Sequence, residues 1–171
     1  LSENMSKDID EMERMLNDYL QFAKSQVKEE TSKIDLSSLF KRIKENLKND
    51  NLIFQNIKET KLNGRMSSLK RCFENIIQNA LIYGNKVYVS INHGSNRVTI
   101  NFDDDGPGIP EDQYKNVFKP FFRLDKSRSL NQSGVGLGLA IVEDVINSHG
   151  GNIQLGKSKK NGLLVKISLP F

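Results

Sequence analysis

Two runs of alternating apolar residues, Val87, Val89, Ile91 and Val98, Ile100, Phe102, flank the short connection His93-Gly94-Ser95-Asn96. No other feature restricts the fold so tightly. A period of two puts each trio on one face of a strand, and the four-residue polar connection makes the strands antiparallel neighbours. A third alternating run, Leu163, Val165, Ile167 and Leu169, predicts a strong closing strand. Other segments carry helical spacing instead. Leu69, Cys72, Phe73, Ile76, Ile77, Ala80 and Leu81 mark one face of a helix ending near Gly84-Asn85, and Leu139, Val142, Val145 and Ile146 mark another stopped by Gly150-Gly151.

Upstream, Ile34-Asp35-Leu36 reads as a short strand, with Ser37 as N-cap of a helix that turns Leu39, Phe40, Ile43 and Leu47 inward. Leu52 to Ile57 and Thr60 to Leu62 are further short strand candidates. Helices and strands interleave without a regular βαβ rhythm, so the expected class is α+β: a two-layer sandwich with helices on one face of a mixed sheet. Gly106 to Ser133 holds no periodicity for long, and a loop of that length inside a compact domain is predicted to be a functional lid.

The first residues form a separate unit. Met5, Ile9, Met12, Leu16, Tyr19 and Ala23 recur at alternating spacings of four and three, a heptad seam on a long N-terminal helix. That helix either lies on its own domain or joins a dimer-forming hairpin. Polar residues 28–33 read as a linker, which divides the chain into 1–30 and 31–171. Since Leu1 falls inside a helical pattern and is not Met, the chain is expected to be a piece of a longer protein.

Composition enters mainly by exclusion. A net charge of +4 from mixed Lys, Arg, Asp and Glu, with no block of one sign, does not favour nucleic acid or a membrane surface as partner. The single cysteine, Cys72, excludes an internal disulfide and a cysteine-rich metal site, and suits a reducing cytoplasm. No apolar run approaches the roughly 20 residues needed to span a bilayer.

Three stretches could carry chemistry. Asp105-Gly106-Pro107-Gly108 follows a strand; its glycines admit a ligand close to the backbone and its carboxylate can accept from an amino group such as that of adenine, although the same residues also make plain turns. Gly134-Val135-Gly136-Leu137-Gly138-Leu139 runs into a helix N-terminus, where free N–H groups and the helix dipole favour phosphate; a flexible hinge would look the same. Asn75 and Asn79, four apart, share a helix face, and their carbonyl oxygens suit Mg²⁺; two solvated amides are the bland alternative. His93 and His149 read as turn and cap residues, Cys72 as a buried structural thiol, and Glu74 as a solvated carboxylate rather than a base.

Taken together and in order, Glu74 to Ala80, Asp103 to Ile109, Phe118-Lys119-Pro120-Phe121 and Gly134 to Ala140 resemble the nucleotide boxes of sensor histidine kinases. The gyrase, chaperone and mismatch-repair ATPases share some of these boxes, but Phe118 to Arg123 and the Gly-Leu-Gly-Leu-Ala-Ile run resemble the kinases. The resemblance covers nearly the whole chain, and residues 1–30 are similar to the second helix of a dimerisation and phosphoacceptor hairpin. It implies a Bergerat-type ATP-binding fold in which Asp105 holds the adenine amino group beside Tyr83, with Gly106 and Gly108 lining the base. Asn79 would bind Mg²⁺ and Asn75 would lie near the phosphates. Arg123 and the segment Val135, Gly136, Leu137, Gly138 and Leu139 would contact the phosphates from the lid, and Leu124 and Gly134 would also belong to the nucleotide site.

The implied activity is transfer of the ATP γ-phosphoryl group to a histidine, then to a response regulator aspartate, by a homodimeric parent in a bacterial inner membrane with this part in the cytoplasm. The phosphoacceptor histidine would precede Leu1, so the chain itself is expected to bind nucleotide without autophosphorylating. Two departures stand out: Ile82 where such kinases often carry Lys or Arg, and Val135 where many carry Ser or Thr. Each missing charge-assisted hydrogen bond to a phosphate costs about 1.5 to 3 kcal/mol unless Lys119, Arg123 or Lys126 compensates. These departures motivate an alternative, a degenerate nucleotide-binding scaffold or phosphatase-type regulatory module. A third reading is a water-splitting ATPase dependent on Glu74.

Overall fold

The computed structural model describes residues 2–25, 29–120, 122, 124 and 138–171. Among these residues, seven strands and four α-helices follow in the order α1 (Ser2–Ser25), β1 (Ser32–Asp35), α2 (Leu36–Leu47), β2 (Leu52–Phe54), β3 (Lys61–Gly64), α3 (Met66–Tyr83), β4 (Val87–His93), β5 (Arg97–Asp104), α4 (Gly138–Ser148), β6 (Asn152–Lys157) and β7 (Leu163–Pro170). Five strands form one sheet, ordered β2-β4-β5-β7-β6, in which β2 runs parallel to β4 and the other pairs are antiparallel. The sheet is therefore mixed, as expected. β1 and β3 make a separate antiparallel pair, with Ile34 opposite Leu62.

Strand parity decides which side chains meet the helices. On β5, Val98, Ile100, Phe102 and Asp104 are buried while the residues between them are not, and Val87, Val89 and Ile91 of β4 are buried in the same way. Against this face pack Leu69, Cys72, Phe73, Ile76 and Ile77 of α3 and Ile141, Val142, Val145 and Ile146 of α4. Phe40 of α2 stacks on Phe73 with ring centroids 4.9 Å apart, and Phe102 lies 5.9 Å from each. Three aromatic rings thus join α2, α3 and β5 at the centre of the core.

The helix ends show where local reading succeeds and where it slips. α4 stops as anticipated, with Gly150 at φ 69° and the Gly151 N–H donating to the Ile146 carbonyl. For α2 the cap is Asp35 rather than Ser37: its Oδ1 accepts from the Ser37 N–H at 3.0 Å and its Oδ2 from the Ser38 hydroxyl at 2.7 Å. A carboxylate is the stronger cap because it also meets the positive end of the helix dipole. Arg65 leads into α3 without capping it; Glu29, from the linker, accepts from the N–H groups of Ser67 and Ser68 at 2.7 and 3.1 Å.

His149 braces α3 against α4. Its Nδ1 donates to the Val145 carbonyl at 2.7 Å, and its Nε2 accepts from the Arg65 N–H at 3.0 Å, which assigns a neutral ring in one tautomer. Burial holds its pKa below the ordinary value; the Val145 bond opposes that, the Arg65 charge reinforces it, and Glu29 opposes it. The unfolded chain takes up the proton near pH 6.5, the folded chain resists it, and so this contribution is complete above about 6.5 and is lost as pH falls through the folded value. Denaturant unfolding should therefore show a falling midpoint between about pH 7.5 and 5.5 that flattens in His149→Gln. A midpoint rising on acidification in the wild-type chain would contradict the assignment.

One strand is not expected from the sequence, and two further expectations meet the structure here. β6 is an additional strand at the sheet edge, where no residue is fully buried and Ile153, Leu155 and Gly156 are partly so. Residues 106–120, placed in the expected lid, include two short 3-10 turns, Glu111–Gln113 and Asn116–Phe118, with Val117 buried. The seam of α1 faces away from its own domain: Met5, Ile9, Met12 and Leu16 are each more than half exposed. The side chains of Tyr19 and Ala23 lie outside the described residues.

Candidate functional site

Three consecutive carboxylates, the last two residues of β5 and the one after it, each fasten a different element. Asp103 accepts from the Ser158 hydroxyl at 2.7 Å on the β6–β7 turn. Asp104 Oδ1 accepts from the N–H of Gly106 at 2.9 Å and of Leu163 at 3.0 Å. Asp105 Oδ1 accepts from the N–H of Asn85 at 2.7 Å and of Lys86 at 2.8 Å, just beyond α3.

Asp104 is the carboxylate turned toward the helix layer. It is 7% exposed and continues the buried phase of Val98, Ile100 and Phe102. Burial raises its pKa, the two N–H bonds partly offset this, and the neighbouring Asp105 and Asp103 charges add to the rise. Hydrogen bonds from described residues land on Oδ1 alone, which leaves Oδ2 as the acceptor available to a ligand. Asp105 has the opposite character: the Lys86 N–H, joined by the Asn85 N–H, lowers its pKa against the opposing effect of burial. Of the two, Asp104 is the carboxylate on the buried, helix-facing side of β5, while Asp105, the first residue beyond that strand, is bound through Oδ1 to the α3–β4 connection.

Backbone walls close around this carboxylate. A Cβ on Gly162 would lie 2.1 Å from Asp104 Oδ1 and 2.3 Å from its carbonyl, and one on Gly106 would lie 3.0 Å from the Tyr83 carbonyl. Gly108 has φ 72°, a conformation that favours glycine. Tyr83, 46% exposed, ends α3 directly beside this turn.

One turn back along α3, Asn79 reaches α4: a Cβ on Gly138 would lie 3.4 Å from Asn79 Nδ2 and 3.9 Å from Oδ1. Asn75, a further turn earlier, is half-buried on the same helix. The amide of Asn79 thus sits at the first described residue of α4, at the end of the helix where the dipole favours anions. Leu139 is half-buried in the first turn of α4, and Leu124 is 48% exposed. Arg123, Gly134, Val135, Gly136 and Leu137 lie outside the described residues.

Other sequence candidates have structural duties. Glu74 pairs with Lys70 at 3.7 Å, and Cys72 is fully buried, its thiol pKa pushed up by that burial. His93 shares a 2.6 Å hydrogen bond with Thr60, and no cluster of His, Cys, Asp or Glu suited to a metal occurs among the described residues. An open groove of about 670 Å³ between Phe118, Glu143 and the β6 edge shares no residue with the set above.

The fold and this arrangement define a class: an α+β sandwich in which one helix presents an asparagine to the start of a second helix and ends against a buried aspartate turn. Residues 64–171 match the family described as histidine kinase-, DNA gyrase B- and HSP90-like ATPases, and the chain belongs to that family as an ATP-binding catalytic domain of the sensor histidine kinase kind. The sensor histidine kinase GtrS of Pseudomonas aeruginosa is 34% identical over 172 aligned positions, covering 99% of this chain and 36% of GtrS. The chain thus spans about a third of that relative's length. Among solved structures, a mycobacterial sensor histidine kinase, MprB, is similar with a TM-score of 0.72 at 26% identity, over 82% of this chain and 97% of MprB's. The histidine kinase domain of the Escherichia coli osmosensor EnvZ is similar with a TM-score of 0.63 at 32% identity, over 85% and 92%. These likenesses support the ATP-binding kinase reading and not the degenerate scaffold.

Proposed function

We propose that this domain binds Mg-ATP between α3 and α4 and, within a longer protein, delivers the γ-phosphoryl group to a histidine on a helical hairpin, from which it passes to a response regulator aspartate. The observation that carries this reading is the position of α3, whose Asn79 meets the α4 N-terminus while its end meets the Asp104–Gly106 turn. Asp104 Oδ2 accepts from the adenine 6-amino group, and Tyr83 flanks the base. The free N–H groups opening α4 receive phosphate oxygens, with Asn75 nearby on α3.

Asn79 Oδ1 is a hard oxygen at the phosphate end and suits Mg²⁺, which takes few protein ligands alongside phosphate and water. When bound, the ion neutralises charge developing between the β- and γ-phosphates. The domain's own contribution is positioning and exclusion of water. The histidine ring nitrogen forms the new bond to phosphorus as the bond to the ADP oxygen breaks.

Both histidines of the chain are engaged structurally, His93 with Thr60 and His149 through both ring nitrogens, so the acceptor is supplied from elsewhere in the parent. The exposed seam Met5, Ile9, Met12 and Leu16 supports a helix partner for α1 and a homodimeric parent. The parent is proposed to hold this domain on the cytoplasmic side of a bacterial inner membrane; no helix among the described residues is long and apolar enough to cross a membrane. Labelled ATP given to the full cytoplasmic portion should yield acid-labile, alkali-stable phosphoprotein, while the 171-residue chain alone stays unlabelled. Unlabelled cytoplasmic portion under conditions where nucleotide binds would sink the phosphotransfer reading.

A further inference from the structure

We infer that Asp105 is a positioning residue that sets the selectivity of the site for adenine over guanine, by locking the end of α3 to the turn that carries Asp104. The inference rests on the ATP-site reading above and adds to it a residue that touches no nucleotide.

The geometry begins with an oddity. Asp105 places a carboxylate at the C-terminal end of α3, the negative end of the helix dipole, where an acidic group is disfavoured. It is held there by two N–H donors, Asn85 at 2.7 Å and Lys86 at 2.8 Å. Those two residues, with Gly84, make up the whole connection between α3 and β4. Gly84 is itself tied back to the Ala80 carbonyl at 2.8 Å.

Nothing in this junction is slack. A Cβ on Gly84 would lie 2.8 Å from Asp105 Oδ1 and 2.9 Å from the Gly106 N, and one on Gly106 would lie 3.0 Å from the Tyr83 carbonyl. The end of α3 and the Asp104–Gly106 turn therefore touch backbone to backbone. Asp105 is the side chain that joins them, since its own residue belongs to the turn and its acceptor serves the α3–β4 connection. It fixes how far Tyr83 stands from the Asp104 carboxylate.

That separation is what base selectivity requires. Adenine presents an amino donor to Asp104, whereas guanine presents a carbonyl acceptor at the same ring position, which a carboxylate repels. The distinction holds only while the carboxylate and the wall beside the base keep their places; if Tyr83 and Asp104 move apart, the base tilts and the directional bond weakens. Bonds to the phosphates, made at the α4 N-terminus, are the same for both nucleotides and are left alone.

The test measures ATP and GTP affinities by competition against a fluorescent nucleotide. Asp105→Ala should weaken ATP by about tenfold, the scale of one hydrogen bond, and leave GTP within about twofold. Asp105→Asn keeps an acceptor for the two N–H groups and should restore the wild-type ratio. Asp105→Glu keeps the charge but lengthens the arm, gives the same fall in ratio as the alanine variant, and serves if that variant does not fold. An equal loss for both nucleotides, an unchanged ratio in Asp105→Ala, or failure of Asp105→Asn to restore it overturns the inference. Asp104→Asn separates the two claims: an unchanged ATP-to-GTP ratio there sinks the base-pocket reading itself, whatever Asp105 does.

Discussion

Asp104→Asn is expected to weaken Mg-ATP binding by more than about a hundredfold while leaving the chain folded. The reason is a forced orientation. Asparagine must keep its carbonyl oxygen where Asp104 Oδ1 accepts from Gly106 and Leu163, because turning the amide would set two donors against two donors. Its NH₂ then occupies the place of Oδ2 and faces the adenine amino group, donor against donor. Loss of a hydrogen bond to a charged acceptor costs about 1.5 to 3 kcal/mol, and an unsatisfied donor in its place costs about 1 to 3 kcal/mol more. Together these come to about 2.5 to 6 kcal/mol, most of which lies above the roughly 2.7 kcal/mol that separates a hundredfold in affinity.

Stability should not suffer in this variant. A raised pKa means that the folded state disfavours the ionised carboxylate, so this group's contribution is most favourable at low pH and is lost as pH rises through the folded value. A neutral amide removes that penalty at neutral pH. Calorimetric titration and thermal unfolding of the same preparation check both halves, and a folded Asp104→Asn protein that binds Mg-ATP like wild type would remove Asp104 from the site.

Gly162→Ala should be the most damaging small substitution near the site. Its methyl group would lie 2.1 Å from Asp104 Oδ1, 2.3 Å from the Asp104 carbonyl and 2.6 Å from the Gly106 nitrogen, so relief requires backbone to move. Overpacking of this kind costs about 1 to 3 kcal/mol, and three simultaneous violations place it at the upper end. Thermal unfolding should fall by about 6 to 12 °C for a chain of this size. Nucleotide affinity should fall as well, since the Leu163 N–H that holds Asp104 lies on the next residue. Gly156→Ala is the matched control: its methyl would meet only Leu164 Cδ2 at an ordinary 3.7 Å and should be close to neutral.

How much of this is legible in the sequence follows from how local each determinant is. The periods of two and 3.6 locate β4, β5, β7, α3 and α4, because each buries one face against the same core. The same rule is able to place Asp104 on the core face: its parity with Val98, Ile100 and Phe102 is written in the strand, but the Asp-Gly-Pro-Gly motif begins one residue later and draws attention to Asp105. β6 escapes detection because an edge strand buries little and its alternation is only Ile153 and Leu155 before a glycine. Ser37 outranks Asp35 as a cap only while Asp35 is counted inside a strand, which it does end.

Other features have no local signature. The Glu29 cap on α3 spans 38 residues to Ser67, and the His149 bond to Arg65 spans 84, so only the assembled fold reveals either. Gly162 is readable as a turn residue from Asn161-Gly162, but its role as a wall beside Asp104 depends on β7 pairing with β5. The asparagine pair is visible as an i, i+4 face, and the structure adds that Asn79 lies against the first residue of α4.

The most direct measurement is a calorimetric titration of the 171-residue chain with a non-hydrolysable ATP analogue, with and without Mg²⁺. One nucleotide per chain should bind saturably, more tightly with Mg²⁺ than without, and Asp104→Asn should abolish the heat. Absence of saturable binding up to about 1 mM nucleotide by a folded chain, the limit corresponding to roughly 4 kcal/mol, would contradict the assignment of this cleft to ATP.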